Sequence, residues 1–391
     1  MVRALMDRRV HAVHNPVRIV FGIGALDAAS DAVGARRCTV ITTEGMVARG
    51  TLGRLSEALG PGSTVVGTFT GVVPNPTIAS CTAAFEAVRG ADAEVLVALG
   101  GGSAIDTAKA VAAQIAHASA PGWLAGHLRE AAPFHPDVAP PGIVAVPTTA
   151  GTGSEVTMWA TIWDEREPGK HSVSHPSLYA ETAILDPALT LSVPRATTVA
   201  SALDALSHAM EAIWNRAANP VSDAMAVRAI GLIPPALRAA LARADEIGAR
   251  EALLSGSLLA GLAISSTRTA LAHSISYPLT AEMGLPHGVA CSVTLPELLL
   301  AVAERMPERS DLIVAALGQR SVDQAAAGLR DLLAATGADD VVRHHVPAIA
   351  ALRNIAGSFI APGRAENFVL DVDQEWAADL LRRSAAAAGV R

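Results

Sequence analysis

The chain has 391 residues, of which 51% are hydrophobic, 3% aromatic and 17% charged, and its formal net charge is −7. That length allows two domains and a large core, and the composition is too aliphatic and too sparsely charged for a disordered protein. With no long Lys/Arg run and a negative balance, neither nucleic acid nor an anionic membrane is an expected partner.

The opening stretch MVRALMDRRVHAVHNP is basic but lacks the apolar stretch of a secretory signal, and no uninterrupted apolar run approaches the ~20 residues of a membrane span. Cys38, Cys81 and Cys291 are odd in number and form no CxxC pattern, so they read as small buried residues of a reducing compartment. A soluble cytoplasmic protein is expected.

Up to about residue 190, β-branched runs alternate with Ala-rich helical ones. TVITT (39–43), STVVGTF (63–69), AEVLVALG (93–100) and GIVAVPTT (142–149) read as strands, with helical patterns at 76–88 and 103–118 between them. This alternation predicts a parallel sheet covered by helices. The Pro-rich stretch 119–141 reads as an irregular surface loop. From Thr198 the pattern is helical almost throughout, including 251–273 as one run. The boundary falls near 190–197, giving an α/β dinucleotide-binding domain over 1–193 and an all-helical domain over 194–391. A cleft between two such domains is the default ligand site.

Gly100, Gly101, Gly102 and Ser103 stand directly between a strand and a helix. Glycines let a phosphate approach a helix N-terminus, where unbonded N–H groups favour negative charge, although a plain tight turn with a Ser cap would look the same. VPTTAGTGSEVT (146–157) follows the next strand and is rich in hydroxyls and amides. Two such loops at strand C-termini favour dinucleotide binding, because that edge is where α/β sheets take ligands.

In ASALDALSHAMEA, Asp204 and His208 lie four apart and project from one helix face. His273 and His287 flank a turn-rich segment and complete a set of one carboxylate and three imidazoles, suited to Fe²⁺ or Zn²⁺. Each is weak evidence alone. Together, they propose a Lewis acid that grips a carbonyl oxygen.

GGGSAIDTAKA, PTTAGTGSEVT, DALSHAMEA and the H-x13-H segment ending in PHG, in this order, resemble the iron-containing (group III) alcohol dehydrogenases. The resemblance implies a dehydroquinate synthase-like fold, a nicotinamide cofactor and a divalent metal on Asp204, His208, His273 and His287. It also implies cofactor contacts from Thr43, Asn75, Gly101, Gly102, Ser103, Asp106, Thr148, Thr149, Thr152, Ser154 and Lys170, and commonly a dimer or larger homo-oligomer. Where many members carry a further His near the substrate, this chain has Tyr277, a hydrogen-bond donor that titrates near ~10. Where NAD-using members place an Asp for the ribose, it has Thr43, which favours NADPH unless Glu44 supplies the charge.

STRTALAHSISYPLT, with NPVRIVFG and GRAENF, is similar to the phosphonate-metabolism branch. That branch implies reduction of phosphonoacetaldehyde to 2-hydroxyethylphosphonate, with Arg268 as the phosphonate's partner, Ile264 one turn earlier on its face, and Lys170 beside the substrate. The alternatives are a reductase of another small aldehyde or of maleylacetate, a dehydroquinate synthase-like lyase, and a non-catalytic dinucleotide-binding protein. The GTGSE loop argues against the lyase, and the four metal ligands against the last.

Overall fold

A computed structural model describes residues 10–166, 169–360 and 363–391, so most of the basic opening stretch lies outside the described residues. The chain forms two compact units: one from Pro16–Thr149 and Gly153–Val193, the other from the stretch ending at Asn15, Ala150–Thr152 and Pro194–Arg391.

The first unit holds strands β1 (Arg18–Phe21), β2 (Arg37–Thr42), β3 (Thr64–Phe69), β4 (Val95–Gly100), β5 (Gly142–Pro147), β6 (Trp159–Asp164), β7 (Gly169–Ser174) and β8 (Thr182–Leu185). Six of them pair in the order β1-β8-β5-β4-β2-β3, all parallel. A parallel strand covered on both faces should be apolar at every position. Central β4 is, with Val95, Leu96, Val97, Ala98 and Leu99 all fully buried. The four expected strands are β2 to β5. The antiparallel hairpin β6–β7 and the four-residue β1 and β8 were not anticipated.

The order also creates a switch point. From β2 the chain proceeds outward to β3, and from β4 it proceeds the other way to β5, while β2 and β4 are themselves paired through Thr42 and Leu99. The crevice beyond their carboxyl ends, where Thr43 and the triple glycine stand, is where such sheets bind ligands.

The stretch 119–141 is not the irregular loop expected. Trp123–Glu130 is a helix, with Trp123 stacked on His117 at 3.8 Å and edge-on to Phe134 at 5.4 Å. The flanking prolines disguise an aromatic anchor.

The second unit is helical, from Arg195–Ile213 through Pro220–Ala242, Ile247–Thr267, Leu271–Met283 and His287–Ser292 to Gln374–Ala387, with short 3₁₀ turns at Ile349–Asn354 and Ala365–Asn367 interrupting its last third. Among the described residues, three segments, Pro220–Ala242, Ile247–Thr267 and His287–Arg305, are long and apolar enough to cross a membrane by length and composition. Reading for uninterrupted apolar runs missed them because scattered charges break each run. Helices that pack against neighbours on several sides lose the one-sided pattern in the same way.

The run 251–273 is not one helix. It ends at Thr267, and Arg268 adopts φ 65 as the cap before the chain restarts at Leu271. The break is held from outside: Asn215 Nδ2 donates to the Arg268 carbonyl at 3.3 Å, and Asn367 Nδ2 to that of Thr269 at 2.8 Å.

Candidate active site

Helix Arg195–Ile213 carries Asp204, His208 and Glu211 at i, i+4 and i+7, which stacks them along one face. The break after Thr267 starts a new helix with His273 in its first turn, and His287 opens the next. Asp204 Oδ1 is the hub: 3.4 Å from His273 Nε2, 3.7 Å from His208 Nε2 and 3.9 Å from His287 Nε2. Two glycines permit this approach. A Cβ on Gly288 would lie 1.8 Å from the Ala200 carbonyl oxygen, and one on Gly151 would lie 2.6 Å from Ser201 Cβ.

The far side of two imidazoles is fixed. His273 Nδ1 donates to Glu211 Oε2 at 2.5 Å, and His208 Nδ1 meets the Gly151 carbonyl at 3.2 Å. Both partners accept only, so each Nδ1 carries a hydrogen, which leaves each Nε2, facing Asp204, as the nitrogen for a metal.

Asp204 Oδ1 and His273 Nε2 are buried without a hydrogen-bond partner. Polar atoms are rarely left so, because the desolvation cost goes unreturned. Burial alone would raise the Asp204 carboxyl's pKa, but His208, His273 and His287 outweigh it and hold it well below the usual range. Burial would likewise lower that of His273, yet Cys291 and Glu211 raise it well above its ordinary value. The cluster attracts positive charge. Its oxygen-to-nitrogen spacings approach the edge of about 3.4 Å of a tetrahedron with bonds of about 2.1 Å. The residues present therefore fit a divalent cation.

Tyr277 lies beside them, its ring centroid 6.4 Å from that of His287. Its hydroxyl accepts a hydrogen bond of 3.1 Å from Arg364 Nε. Arg268 is exposed at the helix break, while Ile264 is buried at 1% exposure. The shared helical face expected for them is absent because Arg268 has left the helix.

In the α/β unit, helix Gly102–Ala116 starts from Gly101 with no side-chain cap, so Ser103 is not the cap. The turn must stay bare: a Cβ on Gly100, at φ 154, would meet Ala104 Cβ at 2.7 Å, and one on Gly101 would meet Thr149 Oγ1 at 2.9 Å. Thr148 N donates to the Gly100 carbonyl at 2.9 Å, tying the second loop to the first. An uncapped helix start beneath a side-chain-free turn fits a nucleotide phosphate. Thr43 is itself a cap, accepting from Met46 N at 3.3 Å. Asn75 stands at φ 53, before helix Ile78–Val88.

Asp106 faces inward, accepting from Ser154 Oγ at 2.6 Å and Thr161 N at 3.0 Å. Burial raises its pKa against the opposing pull of Lys109, Ser154, Thr161 and Lys170. Lys109, fully buried, donates to the carbonyls of Ser154 and Thr157, both at 2.7 Å. This network shapes the second loop. Lys170 sits on β7 opposite Trp163. Thr152 belongs to the short segment that joins the helical unit.

Sequence reasoning passed over Glu211, Cys291, Gly151 and Arg364. Glu211 and Cys291 carried a signal, lying at helical spacing from Asp204 and His287; the other two come from distant segments.

Residues 16–187 match the family "Iron-containing alcohol dehydrogenase", and residues 198–345 match "Fe-containing alcohol dehydrogenase family, C-terminal". A long-chain-alcohol dehydrogenase of Geobacillus thermodenitrificans is 36% identical over 313 residues, covering 78% of each chain. A phosphonoacetaldehyde reductase of Streptomyces viridochromogenes is 37% identical over 269 residues, 68% of this chain and 67% of that one. Among solved structures, a sulfoacetaldehyde reductase from Bifidobacterium kashiwanohense in complex with NAD+ superposes with a TM-score of 0.85 at 27% identity, covering 97% of this chain and 99% of that one. Such chains share the dehydroquinate synthase-like fold, a parallel six-stranded α/β unit followed by a helical one.

Proposed function

Because the chain belongs to the iron-containing alcohol dehydrogenase family, we propose that it reduces phosphonoacetaldehyde to 2-hydroxyethylphosphonate with NAD(P)H, NADPH being preferred. Asp204, His208, His273 and His287 would hold the metal, and the bare turn at Gly100–Ser103 the cofactor phosphates. When bound, a divalent cation supplies Lewis acidity toward the carbonyl oxygen and the reduced nicotinamide supplies the hydride. The protein's own groups do the positioning. Glu211 and the Gly151 carbonyl keep two imidazoles in the ligating tautomer. The Tyr277 ring lies beside that of His287, and its hydroxyl can donate as well as accept.

The substrate class rests on Arg364, whose guanidinium bonds Tyr277 next to the ligand cluster. A guanidinium offers paired N–H donors that match phosphonate oxygens, and a dianion requires such a partner. The similarity to the Streptomyces phosphonoacetaldehyde reductase supports the same reading. NADPH is supported by Thr43 at the end of β2, a neutral cap where a carboxylate would repel a 2′-phosphate.

The test is oxidation of NADPH and of NADH by metal-loaded protein with phosphonoacetaldehyde, sulfoacetaldehyde, acetaldehyde and maleylacetate. The expected result is a strong preference for phosphonoacetaldehyde with NADPH, lost through a raised KM in Arg364→Ala while acetaldehyde turnover holds. Equal rates on acetaldehyde would discard the anion contact, and a preference for sulfoacetaldehyde would discard the phosphonate. An effect in Arg268→Ala instead would return the contact to the residue the sequence favoured.

A further inference from the structure

Cys291 follows His287 by one helical turn in His287–Ser292, so both side chains project from one side of that helix. It is fully buried and not disulfide-bonded. Its Sγ lies 3.7 Å from each ring nitrogen of His287. Donor atoms of Asp204, His273, His287 and Cys291 all fall within 4.8 Å of one another. A second observation marks this as a place for a ligand: Asp204 Oδ1 and His273 Nε2, both buried in the same cluster, have no hydrogen-bond partner.

We propose that Cys291 is a further metal ligand, adding a thiolate to a centre otherwise built from nitrogen and oxygen. For a metal bound at about 2.1 Å to nitrogen and about 2.3 Å to sulfur among five donors, the N···S edge across the equatorial angle of a trigonal bipyramid is about 3.8 Å. The observed 3.7 Å matches it without moving the backbone. Binding exchanges a proton for the cation: the S–H bond breaks, the sulfur pair becomes the metal–sulfur bond, and the proton leaves to solvent. No oxidant or reductant is needed. A soft donor shifts the centre's preference toward Zn²⁺ and Co²⁺ and away from oxygen-loving cations such as Mn²⁺. The other two cysteines belong to the other unit. Cys38 lies in β2 and Cys81 in helix Ile78–Val88, both in the α/β unit.

The inference rests on the four-residue metal centre but not on any substrate. Its test is the absorption spectrum of the Co²⁺-loaded full-length protein. Ligand-field bands in the visible report the centre itself, and a near-ultraviolet thiolate-to-cobalt charge-transfer band reports sulfur. Wild type should show both. Cys291→Ala should keep ligand-field bands, lose the charge-transfer band and bind Zn²⁺ at least ~10-fold more weakly. Ligand-field bands without charge transfer in the wild type would overturn Cys291 alone. No cobalt spectrum at all would overturn the centre and this ligand with it. Should Cys291→Ala fail to fold, X-ray absorption of the zinc-loaded wild type decides: a sulfur scatterer at about 2.3 Å is expected, and a shell of only nitrogen and oxygen overturns the proposal.

Discussion

Glu211 holds His273 twice: one carboxylate oxygen accepts the ring Nδ1–H at 2.5 Å, and the other accepts the backbone N–H at 3.2 Å. A histidine gripped through both its ring and its main chain cannot swing its Nε2 away from Asp204. Glu211 is fully buried; desolvation alone would raise its pKa, but His273 outweighs it and holds it low.

Replacing Glu211 by Gln should therefore loosen the ligand without emptying the space it fills. The expected loss is about 10–100-fold in Zn²⁺ affinity, the usual effect of removing such a supporting carboxylate. Competition with a chromophoric chelator measures it. Undiminished affinity would mean that packing alone orients His273.

Gly288 makes a different demand on the same centre. A Cβ there would sit 1.8 Å from the Ala200 carbonyl oxygen and 3.0 Å from Asp204 Cβ. The obstacle is main chain rather than a flexible side chain, so helix His287–Ser292 must move away from helix Arg195–Ile213. Gly288→Ala should cost at least about 1–3 kcal/mol in urea unfolding and should also weaken metal binding. Unfolding that matches the wild type would mean that the helices yield more easily than their packing indicates.

A pH dependence follows from Arg129, which donates from Nε and Nη2 to the two oxygens of Asp164 at 2.5 and 2.6 Å. These bonds hold the Asp164 carboxyl well below the usual range. Its folded pKa lies below the unfolded value, so the contribution is complete above about pH 5 and drains away as the pH falls toward the folded value. Arg129→Gln should lower the urea midpoint at neutral pH, with the gap from wild type narrowing between about pH 5 and about pH 3. A gap that stays constant over that range would make the loss one of packing alone.

The sheet and the ligands differ in how far they could be read in advance. Strands β2, β4 and β5 are legible because a strand buried on both faces must be apolar at nearly every position, as Val95–Leu99 is. β1 and β8 are four residues each, too short for any period to show. The aromatic anchor at Trp123 was hidden by the prolines around it. The metal quartet was legible because acid and imidazole at helical spacing form a chemical pattern. Arg364 was not, because nothing in GRAENF shows that a tertiary contact brings it to Tyr277. The helix break at Arg268 was also unreadable: an arginine at φ 65 is held there by Asn215 and Asn367, one before it and one far after it in the chain.

The carbonyl that faces His208 Nδ1 belongs to Gly151, in a three-residue excursion, Ala150–Thr152, that the α/β half of the chain lends to the helical unit. A fragment begun at Pro194 would carry Asp204 and all three histidines yet lack the group that selects one imidazole's tautomer. Gene fusion or domain exchange at that boundary would transplant the ligands and leave behind part of what aims them. The metal centre is in this sense a property of the continuous polypeptide, and the two halves cannot be inherited separately without rebuilding that contact.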